Sequence, residues 1–326
     1  MSLLTRKRVL VTGGAGFIGS SLCHDLLERG NRVICLDNFA TGKRENIKDL
    51  KGNPDFRLID GDIRDPDVCW NAVKGVDVVL HQAALGSVPR SIEDPATTNA
   101  VNITGFLNML TATRDAGIKR FVYASSSSVY GDSPELPKVE ERTGKVLSPY
   151  AVTKLVNEEY ARVFGSIYGM ETLGLRYFNV FGRRQDPGGP YAAVIPKFTQ
   201  AFMKYESPVI HGDGSYSRDF TYIDNVLLAN NLAATVENPA AMNQVYNVAC
   251  GDSVNLNEMT TLLRGYLTSH DPKIATVEPV HGPNRQGDIP HSMASIGKAV
   301  RLLGYKPQVL FGEGLKRAVE WYVDNL

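Results

Sequence analysis

Short apolar runs alternate with longer, helically spaced stretches through the first half of the chain. RVLVT (Arg8–Thr12), RVICLD (Arg32–Asp37), FRLID (Phe56–Asp60), VDVVLH (Val76–His81) and RFVYAS (Arg120–Ser125) predict strands, and ETLGLRYFNV (Glu171–Val180) predicts a sixth. They are apolar almost throughout, as in a parallel sheet covered on both faces. Between the first two, Ile18, Leu22 and Leu26 recur at every fourth residue, and Gly30 supplies a helix stop. Pro95–Ala116 and Pro149–Tyr168 predict two more helices, each with a proline in its first turn, where its missing N–H is not needed. This alternation implies an α/β protein built on a doubly wound parallel sheet.

After Asn179 the pattern changes. FGRRQDPGGP, HGDGSYSRD and HGPNRQGDIPHS are long polar, turn-rich segments between shorter elements. The expected division is a nucleotide-binding domain over 1–178 and a smaller substrate domain over 179–326. QVYNVA (Gln244–Ala249) is a candidate to return as a strand to the first sheet. No internal repeat or low-complexity segment occurs.

Composition narrows the function classes. The 326 residues carry 35 basic and 35 acidic side chains, and this balance argues against a nucleic-acid or membrane-surface partner. No apolar run approaches the ~18–20 residues that span a bilayer. The basic and apolar N-terminal stretch superficially resembles an export signal, but a glycine motif accounts for it better, so a cytoplasmic protein is expected. Cys23, Cys35, Cys69 and Cys250 are scattered without a metal-type CxxC, which predicts reduced core thiols and no metal site.

VTGGAGFIG directly follows the first strand and opens the first helix, with Gly13, Gly16 and Gly19 three residues apart. In a dinucleotide site the first allows a sharp turn, the second lets a pyrophosphate approach the backbone, and the third lets helix and sheet pack closely. The helix N-terminus then offers N–H groups to the anion. Asp37 ends the second strand 18 residues after Gly19. A carboxylate there suits two ribose hydroxyls and repels a 2′-phosphate, which favours NAD over NADP in a Rossmann-type fold.

SPYAVTK places Tyr150 and Lys154 one helical turn apart on one face. A phenol titrates near ~10, and a neighbouring ammonium, with the positive nicotinamide ring, would bring it toward neutrality. Such a pair can take a proton from an alcohol while a hydride leaves its carbon. The serine run of SSSSVYG (Ser125–Gly131) lies upstream at the carboxyl edge of the sheet, where ligands bind. Ser126 is expected to relay or orient the proton, Ser127 and Ser128 to touch the substrate, and Ser125 to close the strand.

Gly13–Gly19, HQAA (His81–Ala84), the serine run, Tyr150 with Lys154, and RYFNVFG (Arg176–Gly182) together resemble the extended short-chain dehydrogenase/reductases, in their nucleotide-sugar 4-epimerase branch. The resemblance covers essentially the whole chain. It implies a Rossmann domain holding NAD and a C-terminal domain that binds a UDP-sugar. The cofactor residues it implies are Gly13, Gly16, Phe17, Ile18, Gly19, Thr41, Gly42, Gln82, Ala83, Ala84, Tyr150 and Lys154. Asp37 and Asn38 would hold the adenosine ribose, and Asp62 and Ile63 would flank the adenine. On the substrate side it implies Ser87, Asn179, Ala193, Val194, Lys197, Val209, His211, Arg218, Arg285, Asp288 and Ser292, besides Ser126, Ser127 and Ser128. Arginine forks suit a diphosphate and carboxylates suit ribose hydroxyls. Arg183 and Arg184 read as loop-ordering surface residues.

The same resemblance points to a reaction. Related 4,6-dehydratases carry an Asp-Glu pair after the hydroxyl residue and related decarboxylases a Glu, whereas this chain has only serines there. Epimerisation is therefore expected, with a dehydratase or dehydrogenase as the alternative. Hexose-restricted relatives carry a bulky aromatic at the position of Ser292, so serine predicts room for an N-acetyl group and exchange of UDP-GlcNAc with UDP-GalNAc, alongside UDP-Glc/UDP-Gal. The helices at Pro95–Ala116 and Pro149–Tyr168 are expected to pair with their mates in a homodimer.

Overall fold

The computed structural model describes residues 3–188, 193–284 and 290–325. Strands β1 (Arg8–Thr12), β2 (Arg32–Asp37), β3 (Phe56–Asp60), β4 (Val78–His81), β5 (Arg120–Ser126) and β6 (Glu171–Tyr177) form one sheet with a seventh strand, Gln244–Val248. The spatial order is Gln244–Val248, β6, β5, β4, β1, β2, β3, and every neighbouring pair is parallel. The chain moves outward from β1 to β3 and then returns to β4 beside β1. That reversal opens a crevice at the carboxyl ends of β1 and β4.

The continuous apolar runs are explained by burial on both sides. Val9 and Val11 pack into one core with Leu22 and Leu26 of α1 (Phe17–Glu28), while Leu10 joins Phe106 and Leu110 on the opposite face. Helix Ile223–Thr235 covers the first face beside β4, β5 and β6. The strand Gln244–Val248 runs in register with β6 from Gln244 opposite Leu173 to Val248 opposite Tyr177. All four cysteines are free thiols.

Five expected elements differ; two only at an end, the fourth strand starting at Val78 instead of Val76 and the strand expected over Gln244–Ala249 ending at Val248. The sixth strand ends at Tyr177, because Asn179 takes a left-handed φ of 33° that no strand accommodates. Val180–Phe181 instead pairs with Thr221–Tyr222. The fifth strand runs one residue further than expected, through Ser126. After α2 (Pro66–Ala72) and α3 (Val88–Glu93), the helix expected over Pro95–Ala116 is built in three pieces: α4 (Pro95–Asn99), a π-helical segment (Ala100–Gly105) and α5 (Phe106–Asp115). The widened turn presents Asn102, which donates to Leu85 O (3.2 Å) and Thr153 Oγ1 (3.1 Å) and accepts from Leu85 N (2.8 Å). It thereby ties the loop after β4 to α6 (Pro149–Tyr168).

Outside the main sheet, short ladders organise the rest. Ser217–Arg218 lies between Val254–Asn255 and His291–Ser292, and Val209–His211 pairs with Val280–Gly282. Helices Val194–Met203, Leu256–Thr268 and Phe311–Asn325 pack around them. Among the described residues no helix is long and apolar enough to cross a membrane.

Candidate active site

A cleft of about 810 Å³ opens at the crevice between β1 and β4. Its floor is the glycine turn. Gly13 has φ +66°, and a Cβ there would lie 2.8 Å from the backbone of Ala83. A Cβ on Gly19 would sit 2.0 Å from the carbonyl oxygen of Gly13. Only glycine permits these approaches. Gly16 precedes α1 with no side-chain cap, so first-turn N–H groups face the cleft unclaimed by a capping side chain. Of the expected cofactor residues, Gly13, Gly16, Phe17, Ile18, Gly19, Asp37, Asn38, Thr41, Asp62, Ile63, Gln82, Ala83 and Ala84 line this cleft. Gly42 stands behind it, where a Cβ would come within 2.9 Å of both Asp37 carboxylate oxygens.

Asp37 is buried at the end of β2 and accepts from the N–H groups of Ala15 (2.9 Å) and Phe39 (2.7 Å). Burial raises its pKa, and these donors oppose the rise. Each oxygen retains acceptor capacity toward a hydroxyl. Asn38 donates to Asp62 at 2.7 Å, and Arg64 clamps the same carboxylate, holding its pKa down to about 2. A turn that only glycine can occupy, a helix N-terminus and an acidic ribose-type acceptor fit a dinucleotide.

Tyr150 and Lys154 occupy the start of α6, behind the Ser148 cap, whose hydroxyl accepts from Ala151 N at 3.2 Å. Lys154 is 2% exposed, and its Nζ donates to Ala124 O at 2.8 Å. Burial lowers its pKa to about 8, and Glu158, one turn further on, opposes that shift. The expected depression of the Tyr150 pKa by Lys154 is not met in the protein alone. Burial raises it, and the opposing influence is a hydrogen bond with Ser126. The ammonium sits 5.9 Å from the ring centroid and is committed to the Ala124 carbonyl. His81, at the end of β4, is buried beside Thr12 Oγ1 (2.9 Å), and burial pushes its pKa down to about 3. It stays neutral near pH 7.

The serine run resolves into distinct environments. Ser126 accepts from Ser128 N at 3.1 Å and so caps the short turn Ser127–Tyr130. Ser128 Oγ is buried with no partner among the described residues, and Ser127 is half-buried. Ser125 does not simply end the strand: it is buried and donates to Glu158 Oε1 at 2.5 Å.

The substrate-side residues separate into groups. Ser87 lines the cleft while capping α3 (Val88–Glu93) by accepting from Arg90 N at 3.2 Å. Ala193, ahead of helix Val194–Met203, also lines it. Arg184, Gln185, Asp186 and Gly188 form another wall, so Arg184 is a cleft residue rather than only a surface one. Arg183 is paired with Asp224 at 2.6 Å.

Asn179, Arg218 and Ser292 do not line the cleft but converge on one unpredicted residue, Asp219. Asn179 donates to Asp219 O at 3.0 Å, Asp219 N donates to Ser292 O at 2.8 Å, and Ser292 lies opposite Arg218 in a parallel ladder. The Asp219 carboxylate is fully buried and accepts from the N–H groups of Cys250 (2.9 Å), Gly251 (3.0 Å) and Ala294 (3.3 Å). Burial raises its pKa to about 6. Val194 packs on the core, Lys197 and Val209 are exposed, and His211 Nδ1 lies 3.1 Å from Pro283 O. Arg285 and Asp288 lie outside the described residues.

The profile of the NAD dependent epimerase/dehydratase family matches residues 9–249. The chain belongs to that family. Its cofactor is NAD. Among curated relatives, a putative UDP-glucose 4-epimerase of Methanocaldococcus jannaschii is 38% identical over 97% of this chain and 99% of its own. Among solved structures, a UDP-N-acetylglucosamine 4-epimerase from Methanobrevibacter ruminantium, in complex with UDP-N-acetylmuramic acid, superposes with a TM-score of 0.92 at 38% identity, covering 99% of this chain and 100% of its own. A UDP-glucose 4-epimerase of Thermus thermophilus in complex with NAD gives a TM-score of 0.85 at 35% identity, over 98% and 100% of the two chains.

Within this epimerase/dehydratase family member, the carboxylates among the described residues that line the cleft are Asp37, Asp62 and Asp186. Each is engaged: Asp37 by backbone N–H groups, Asp62 by Arg64 and Asp186 by Lys43.

Proposed function

We propose that this protein interconverts UDP-N-acetylglucosamine and UDP-N-acetylgalactosamine by inverting C4, with UDP-glucose and UDP-galactose as further substrates. The reaction class is NAD-dependent 4-epimerisation of a UDP-sugar, shared with the relatives it resembles along their whole length. One observation carries the mechanism: a phenol, a hydroxyl and a buried ammonium stand together between the end of β5 and the start of α6, outside the residues that line the cofactor cleft, and the serine run there carries no carboxylate.

The glycine turn and Asp37 would hold NAD in the cleft, where it would supply reversible hydride removal at C4 and so a transient 4-keto sugar. Tyr150 takes the O4 proton and later returns it. Ser126 holds that oxygen in line with the phenol. Lys154 keeps positive charge beneath the forming phenolate and is restrained by the Ala124 carbonyl. Serines cannot serve as the acid that water expulsion would need, so the ketone returns to the alcohol instead of losing water. Arg218 and Ser292 belong to the lobe that grips the nucleotide and the C2 substituent. The small Ser292 leaves space there, which supports the acetylated substrate.

A homodimer completes this reading. Val152, Val156, Val163 and Ile167 recur at helical spacing on α6, and Val152 and Ile167 are 42% and 66% exposed. A second copy of the same face would cover them. Light scattering that gave a monomer mass would reject it.

The deciding experiment incubates the purified holoenzyme with UDP-GlcNAc and resolves UDP-GalNAc, with UDP-Glc run in parallel. UDP-GalNAc is expected without any added oxidant. A stable 4-keto-6-deoxy product, net NADH release, or no product would overturn the assignment.

A further inference from the structure

Three consecutive residues of β5 meet three successive turns of α6. Ala124 O accepts from Lys154, Ser125 donates to Glu158 Oε1 at 2.5 Å, and Ser126 stands near enough to Tyr150 to oppose the rise of its pKa. Glu158 is 7% exposed and is fixed from a second side by Arg176 of β6, whose Nε and Nη2 reach its two oxygens at 2.9 and 2.7 Å. Ser125 and Arg176 are themselves partners in the β5–β6 ladder. Arg176 also donates to Glu140 O at 3.0 Å and lies 4.9 Å from the Tyr130 ring. The mechanism above uses neither Glu158 nor Arg176.

We infer that Glu158 is a positioning residue for the epimerase's acid–base machinery, acting through Ser125 to fix the end of β5 against α6 and through its charge to offset the burial of the Lys154 ammonium. This rests on the reading of Tyr150 and Lys154 as proton-handling residues. An acceptor 2.5 Å from Ser125 restrains Ser126, the next residue, more tightly than sheet pairing alone. Lys154 otherwise faces His81 on β4, held neutral by burial, and the Tyr150 ring one turn back on its own helix, 5.9 Å from the ammonium. Arg176 on β6 bears the opposing positive charge and is matched by Glu158 itself. Glu158 is therefore the negative charge within this cluster that favours a protonated Lys154.

The test uses NAD-loaded enzyme and compares pH profiles of turnover. Glu158→Gln keeps an acceptor for Ser125 but removes the charge. The double variant Glu158→Gln/Arg176→Gln does so without stranding a buried guanidinium, which guards against a simple folding failure. Both are expected to keep bound NAD and the KM for the UDP-sugar, to lose about tenfold in kcat, and to move the alkaline limb down by about one pH unit. Ser125→Ala is expected to lower kcat several-fold while leaving that limb in place. Profiles superimposable on wild type in folded Glu158 variants overturn the charge role, and unaltered turnover in Ser125→Ala overturns the tether. Tyr150→Phe is measured alongside. If it retains turnover, the assignment of the base fails first and takes this inference with it; if it is inactive while the Glu158 profiles are unmoved, this inference fails alone.

Discussion

Lys43 and Asp186 form an ion pair at 2.8 Å on the wall of the cofactor cleft, joining the loop after β2 to the loop after Val180–Phe181. Both side chains are about half exposed, at 52% and 45%, so the pair contributes modestly, on the order of 0–1 kcal/mol. An epimerase that regenerates its cofactor in every cycle gains from slow cofactor release. Lys43→Ala or Asp186→Ala is expected to speed NAD dissociation up to about fivefold, with the difference shrinking at high salt. Exchange of bound NAD against labelled NAD reads this directly, and equal rates in variant and wild type would contradict it.

Lys154 carries opposite demands from chemistry and stability. Its folded pKa of about 8 lies below that of an exposed lysine, so the unfolded chain binds more protons between roughly pH 8 and 10.4, and stability attributable to this group rises with pH through that window. At pH 7 the buried charge is a stability cost. Lys154→Met is expected to slow turnover by at least about a hundredfold without lowering the melting temperature at pH 7. Turnover of the wild type should decline above about pH 8 as the ammonium deprotonates. A marked drop in melting temperature of the variant would refute the burial argument.

Asp219 holds three backbone N–H groups from two separate loops, at Cys250–Gly251 and at Ala294. Asp219→Asn turns one acceptor into a donor facing those groups, and the KM for the UDP-sugar is expected to rise several-fold while NAD stays bound. In the wild type, protonation below about pH 6 should raise KM in the same direction. Because the folded pKa exceeds the ordinary 3.8, protonation between these values favours the folded state, so this loss of affinity should occur without unfolding. An acid rise in KM that persisted unchanged in Asp219→Asn would assign the effect elsewhere.

Ser292→Tyr tests substrate choice. An aromatic ring at that ladder position is expected to depress turnover of UDP-GlcNAc at least tenfold relative to UDP-Glc, since a steric clash discriminates more strongly than the ~1–3 kcal/mol of a missing contact. Parallel product assays on the two sugars check it, and an unchanged ratio would move selectivity to other residues.

The parts of the site that were legible in sequence are those made by neighbours along the chain. Gly13, Gly16 and Gly19 lie on one turn, and Tyr150 and Lys154 on one helical face, so spacing carries the signal. Ser125 was misread because its partner, Glu158, comes from another element. Asp219 was missed because a lone acid in a polar loop resembles a solvated residue until its three donors are seen to come from distant loops. Arg184 and Asp186 lie in a loop with no periodicity to orient them. The break after Tyr177 depended on one backbone angle at Asn179, in a run whose apolar character continues past it. The π-helical segment is invisible to periodicity, since one widened turn barely changes which residues face inward.

The shared rung of Ser292 and Arg218 has a mechanical consequence. Two side chains hung from adjacent rails of one ladder cannot be repositioned independently by moving backbone. A chain that admits a larger sugar by shifting the strand His291–Ser292 would drag the arginine's strand with it, whereas exchanging one side chain leaves the rails where they are. If, as proposed, these two side chains meet the substrate, changes of its range are channelled into single substitutions rather than insertions.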